Sequence, residues 1–222
     1  MNIAEQENNL FDEWSKNREE FVFDGVASEV DYFRSKNKLC FVLKEVNDLN
    51  NGGWDLREFI RDGARVEDFD PTWNNVSRWV QCIQNGSEDI RWRNLELVTQ
   101  ELRAKTLRTV CAMNLKKSPG THTTVQSTFE AAVAEDKEFI KRQYDLYNPD
   151  ITICCGTGPY FRFALDILEE PIFETSRGIE WFLNSNNKPV IMFSHPAARI
   201  QASLLVYGLI DAVREIMSRG QI

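Results

Sequence analysis

The stretch Pro189-Val190-Ile191-Met192-Phe193-Ser194-His195-Pro196 decides how this chain is read. A short apolar run rich in β-branched and aromatic residues reads as a buried strand, and a proline just past its end halts ladder pairing. His195, one of two histidines in the sequence, is thereby expected at the strand's carboxyl edge. In open α/β sheets that edge, with its loops, is where ligands bind. A histidine held there for structural reasons fits the same position, so the neighbouring loops carry the decision.

Working outward, three more runs have the same character: Leu39-Cys40-Phe41-Val42-Leu43, Thr109-Val110-Cys111-Ala112-Met113 and Ile151-Thr152-Ile153-Cys154-Cys155. Continuous apolar runs of this kind are what a sheet covered on both faces contributes, so a central, mainly parallel four-stranded sheet is expected. The segments between them show helical spacing. Leu56, Phe59, Ile60, Val76, Trp79, Val80, Ile83, Leu95, Val98 and Leu102 leave room for two or three helices between the first two runs. A single helix from Ser127 to Tyr147 is expected next, ended by Asn148-Pro149. A short helix around Phe161 to Leu168, a hairpin turning near Asn184-Ser185-Asn186-Asn187 and a closing helix from Ala202 to about Met217 complete the pattern. At the other end, Leu10, Phe11 and Trp14 place an amphipathic helix over about 3–17 as a cap on the core, Asp24-Gly25 marks a turn, and Ser28 caps a short helix. The alternation predicts one domain over 1–222, a three-layer α/β/α sandwich with crossover helices on both faces.

At 222 residues with 42% apolar content the chain can bury a sizeable core. No apolar stretch approaches the roughly 20 residues that span a bilayer, and the first residues are acidic and polar. A cytoplasmic protein that is neither secreted nor membrane-bound is the expectation. Four of the five cysteines, Cys40, Cys111, Cys154 and Cys155, fall inside the strand-like runs, where a thiol acts as a small hydrophobe, in keeping with a reducing compartment. No Cys/His cluster has ligand spacing, so neither a metal nor another cofactor is expected. A formal charge of −8 argues against broad electrostatic binding to nucleic acid, which needs many cations on phosphates. Any such contact is local, with Lys116, Lys117 and Arg199, and the Arg91-Trp92-Arg93 stretch, as candidate patches.

If the sheet is parallel, four strand ends share one edge, and all four continue in polar sequence: Lys44-Glu45-Val46-Asn47-Asp48, Asn114-Leu115-Lys116-Lys117, Gly156-Thr157-Gly158-Pro159 and Ser194-His195-Pro196-Ala197-Ala198-Arg199. Loops face water in any such protein, which makes a polar end ordinary when taken singly. Together they offer carboxylates in Glu45 and Asp48, carboxamides in Asn47 and Asn114, and a histidine. A carboxylate can hold a water or stabilise a cation, a carboxamide presents both donor and acceptor to a planar edge, and an imidazole donates to a developing anion. That set suits a nucleobase cut from a sugar. Trp54 and Phe59 come after the first loop as candidate stacking faces, each worth about 1–3 kcal/mol per base if stacked.

The order of these motifs, from about Val22 to Met217, resembles the uracil-DNA glycosylase superfamily. There a first strand ends in Gly-Gln-Asp-Pro-Tyr-His or Gly-Glu-Ala-Pro-Gly, a second ends near a base-reading Asn, and the last delivers His-Pro-Ser or His-Pro-Ala. Leu43 to Asp48, Met113-Asn114-Leu115 and His195-Pro196-Ala197 fall at matching places in matching order, and Asn148 to Gly156 is similar to the family's penultimate strand. The resemblance implies hydrolysis of the N-glycosidic bond of uracil or a related deaminated base. By that resemblance His195 donates to the uracil oxygen, Asn114 reads the base edge, and Arg199 or Ala197 belongs to the loop that enters the minor groove. Read from their chemistry and place, Glu45 and Asp48 join His195 as catalytic candidates, Asn47, Trp54 and Phe59 join Asn114 at the base, and Lys116 and Lys117 join Arg199 as DNA-contacting candidates. The implied partner is DNA with a flipped base, single- or double-stranded, or a free nucleobase or nucleotide. The first motif departs from the family at Lys44, where most members have Gly, and at Val46, where several carry a water-activating Asp or Asn. A base-binding module of the same fold with impaired catalysis is the alternative.

Overall fold

In Leu39–Leu43 (β2), Val110–Asn114 (β3) and Ile151–Cys155 (β4) every residue is buried. Successive strand side chains point to opposite faces. Leu39, Phe41 and Leu43 enter one apolar cluster, whereas Cys40 and Val42 enter another. Two apolar faces require two covering layers, and helices supply both. The computed structural model describes residues 2–48, 52–64, 70–86, 89–121 and 123–219. One layer comprises Leu56–Arg61 (α3), Pro71–Asn85 (α4), Trp92–Leu95 (α5), Gln100–Leu107 (α6) and the closing Ala202–Ser218 (α10). The other comprises Ile3–Trp14 (α1), Glu29–Arg34 (α2), Gln126–Glu135 (α7), Lys137–Tyr147 (α8) and Gly158–Ala164 (α9). The mixed α/β class and the layered arrangement thus follow from the apolar runs.

The sheet is wider than expected. Among the described residues it has seven strands, not four, in the order β1-β3-β2-β4-β7-β6-β5, with β1 at Gly25–Val26, β5 at Phe173–Glu174, β6 at Glu180–Leu183 and β7 at Pro189–Phe193. β3, β2, β4 and β7 are mutually parallel, and the three added strands pair antiparallel at the edges. Two-residue strands have no periodicity to read, which is why β1 and β5 escape the sequence. Gly25, expected in a turn, lies instead in β1 with φ of 130°, and a Cβ there would come within 2.1 Å of Glu7 Oε1. β6 is the first arm of the hairpin expected around residues 184–187. The helix expected over 127–147 is two, α7 and α8, which meet at Asp136, whose carboxylate accepts from Arg18 at 2.8 Å. Between β2 and β3 the described residues form four helices rather than two or three.

The connection from β2 runs to β3 over one face, and that from β3 to β4 returns over the other. β4 then continues to β7 on the far side. The carboxyl ends of β2 and β4 therefore lead apart, and a crevice opens where the direction of winding reverses. No helix among the described residues is long and apolar enough to cross a membrane.

Candidate functional site

Past its last strand residue, β2 stays zipped to β3. The amides of Leu115 and Lys116 donate to Leu43 O and Lys44 O at 3.0 and 2.9 Å. The loop then closes on itself, with Gly120 N–H on Val46 O at 2.9 Å and Asp48 N–H on Gly120 O at 3.3 Å. The sheet's alternation carries on through it: Leu43 and Glu45 face one layer, and Lys44 faces the other, its ammonium 5.6 Å from the Phe129 ring centroid. On the Glu45 side a cavity of about 580 Å³ opens.

Glu45, Asn47, Asp48, Trp54, Phe59, Asn114 and His195, all of the expected catalytic and base-binding residues, line that cavity. They arrive from three strand ends, from α3 and from Trp54 just before it. Trp54 and Phe59 meet edge to face, 5.8 Å between centroids, and form an aromatic wall. Asp48 Oδ2 orients it, accepting the Trp54 indole N–H at 2.7 Å and the Gly52 amide at 2.9 Å. His195 is exposed at the rim. Its Nδ1 accepts the Ala197 amide at 3.1 Å, which assigns the proton of the neutral ring to Nε2. Partial desolvation and the nearby Lys44 charge hold its pKa below the usual imidazole value, against an opposing pull from Asp70. The loop is anchored to α4, since Asn75 Nδ2 donates to Pro196 O at 2.7 Å.

The two carboxylates expected to act are not equivalent. Glu45 Oε2 receives the Lys116 ammonium at 2.5 Å, and Oε1 is buried with no hydrogen-bond partner among the described residues. Gly120 makes this close fit possible, because a Cβ there would lie 2.3 Å from the Glu45 carboxyl carbon.

The expected DNA-contacting residues do not form a surface patch. As β3 continues beyond its end, adjacent residues point to opposite faces. Lys116 turns to Glu45 and also donates to Ser118 O and Pro119 O at 3.1 and 3.0 Å. Lys117 turns the other way into the core, fully buried, onto Asp24 Oδ1 at 2.6 Å and Gln143 Oε1 at 2.8 Å, 4.7 Å from the Trp14 ring. A side chain without exposure cannot meet a phosphate, so Lys117 is a structural cation. Arg199 is exposed but does not line the cavity.

Sequence reasoning missed the fourth wall, Asp70, Thr72 and Trp73 at the start of α4. Asp70 caps that helix, accepting Trp73 N–H at 3.1 Å, and Pro71 sits in the first turn. A capping Asp with Pro after it is a readable helix start; nothing local says it faces the Leu43–Asp48 loop. Among the described residues no group of three or more His, Cys, Asp or Glu side chains is placed to hold a metal ion. No protein family matches the chain, and no curated protein matches it.

Proposed function

We propose that the cavity binds a uracil-like base and that the protein is a DNA glycosylase-like hydrolase of the uracil-DNA glycosylase superfamily, acting on the N-glycosidic bond of uracil or a related deaminated base. The observation that carries this reading is the convergence of Asn114, His195, Asp48 and the Trp54–Phe59 wall on one cavity with room for a nucleobase and its sugar. In this reading the base lies against the aromatic wall and Asn114 meets its edge. His195 Nε2–H donates to the oxygen on which negative charge develops as the bond to the sugar breaks. A carboxylate of the Leu43–Asp48 loop, Glu45 or Asp48, faces the sugar's developing positive charge. Burial of Lys117 and pairing of Lys116 favour a short local contact, a single flipped base or a free nucleoside, over a long phosphate groove. Five buried free thiols support a reducing, cytoplasmic setting.

One observation favours the second reading, binding without hydrolysis: Val46, which activates no water, lines the cavity beside the already paired Glu45. Oligonucleotides carrying uracil, hypoxanthine or xanthine, incubated with the protein and then cleaved with alkali, separate the two. Cut strands support the hydrolase. Intact strands together with thermal stabilisation by a free base support the binding module; a ligand at a hundred times its Kd adds about 2.7 kcal/mol. Intact strands and a flat thermal response overturn both.

A further inference from the structure

Asn114 is held by a buried carboxylate. Asp24 Oδ2 accepts both the Asn114 main-chain N–H, at 2.7 Å, and its side-chain Nδ2–H, at 3.3 Å. The other oxygen, Oδ1, is occupied by the Lys117 ammonium at 2.6 Å and by Gln143 Nε2 at 2.7 Å. Asp24 is unexposed and Asn114 is 2% exposed. An ionised carboxylate only accepts, so turning the amide over would press two acceptors together in a dry site. Nδ2 is therefore fixed toward Asp24. Asn114 Oδ1 has no partner among the described residues, is not sealed from solvent, and belongs to a side chain lining the cavity.

We propose that Asp24, clamped by Lys117 and Gln143, is a positioning residue that sets the polarity of the cavity by presenting Asn114 as an acceptor. This rests on the base-binding reading and adds which edge the cavity accepts. A ring N–H must oppose Asn114 Oδ1. Deaminated bases carry such a lactam N–H where their parent bases carry a lone pair. A lone pair facing Oδ1 leaves both acceptors unpaired, which costs about 1–3 kcal/mol and translates to at least about fivefold in affinity.

The test compares 1-methyluracil with 1-methylcytosine, which differ at that ring position and at the exocyclic group beside it, by fluorescence titration of the full chain, with Trp54 and Trp73 lining the cavity as reporters. Wild-type protein is expected to prefer 1-methyluracil by about tenfold. Asp24→Asn, which lets the Asn114 amide turn, is expected to narrow the ratio to about threefold or less, chiefly by strengthening 1-methylcytosine binding. Because that variant leaves Lys117 without a counter-charge, the ratio is also measured in Asp24→Asn/Lys117→Met, where both charges are gone. A role in folding alone weakens both probes equally, and a ratio unchanged in the variants overturns the proposal. Equal binding of both probes by wild-type protein overturns it too while leaving the base pocket standing. Binding of neither overturns the base-binding reading and this inference together.

Discussion

At the scale of single residues, His195 and Lys117 show how two basic side chains serve opposite ends. His195 sits at the rim, neutral, with Nδ1 taken by the Ala197 amide and Nε2–H available. If the protein hydrolyses the N-glycosidic bond as proposed, His195→Ala is expected to lower turnover about 100- to 1000-fold, as loss of one donor to a developing anion does, with little change in Tm because the side chain is exposed. Its pH behaviour is set by the lowered pKa. Between that value and the usual 6.5 the unfolded chain binds more protons than the folded one, so stability rises with pH across the window and is lost as pH falls through it. His195→Gln should flatten the dependence of Tm on pH just below 6.5, and a slope identical to wild type would show that another group titrates there. Lys117 is the converse. Burial pushes its pKa down and Asp24 pulls it back. Lys117→Met leaves the buried Asp24 carboxylate without a counter-charge, and urea unfolding should report a loss of about 3–5 kcal/mol.

At the scale of elements, the site depends on where helices begin and where strands let go. α4 starts at Asp70, whose side chain caps it, and Thr72 and Trp73 reach the cavity only because that cap fixes the entry of the chain. Asp70→Ala should cost about 1 kcal/mol of stability and weaken base binding as well. Thr99→Ala, which removes the equivalent cap from α6, a helix that does not line the cavity, should cost a similar amount and leave binding unchanged. Thermal melts beside ligand titrations separate the two. The start of α4 was legible as a helix start, but its role was not, since it meets the Leu43–Asp48 loop only through the fold. The Leu43–Asp48 and Ser194–Arg199 loops were legible as parts of a site because a strand end in a parallel sheet has one place to go. The break at Asp136 was hidden, because apolar spacing runs through it unperturbed while the Arg18 contact that accompanies it comes from a distant segment.

Across the whole molecule, a charge of −8 and the loss of Lys116 and Lys117 to internal pairs leave little positive surface beside the cavity. If the protein binds DNA, it does so through the flipped base and few phosphates. The logarithm of its affinity for a uracil-containing oligonucleotide, taken from 50 to 200 mM salt, should fall with a slope no steeper than about −2, given about 0.9 per phosphate neutralised. A slope near −6 would reveal an extended phosphate-binding face. At the floor of the cavity the ladder between β2 and β3 continues past the strands, through the Leu115 and Lys116 amides.

The sequence by itself determined the layers and the sheet edge. Short uninterrupted apolar runs rich in β-branched and aromatic residues read as strands covered on both sides, and the loops that leave parallel strands must gather at one edge. It also placed every expected catalytic and base-facing residue near that edge. Only the tertiary structure decided which polar groups are available there. Lys116 and Lys117 are neighbours in the chain and read as one solvated patch, yet the pleat sends one to Glu45 and the other to Asp24. The charge a residue carries is written in the sequence, whereas the partner that neutralises or orients it is fixed by contacts between segments some 70 to 90 positions apart, which no local pattern encodes.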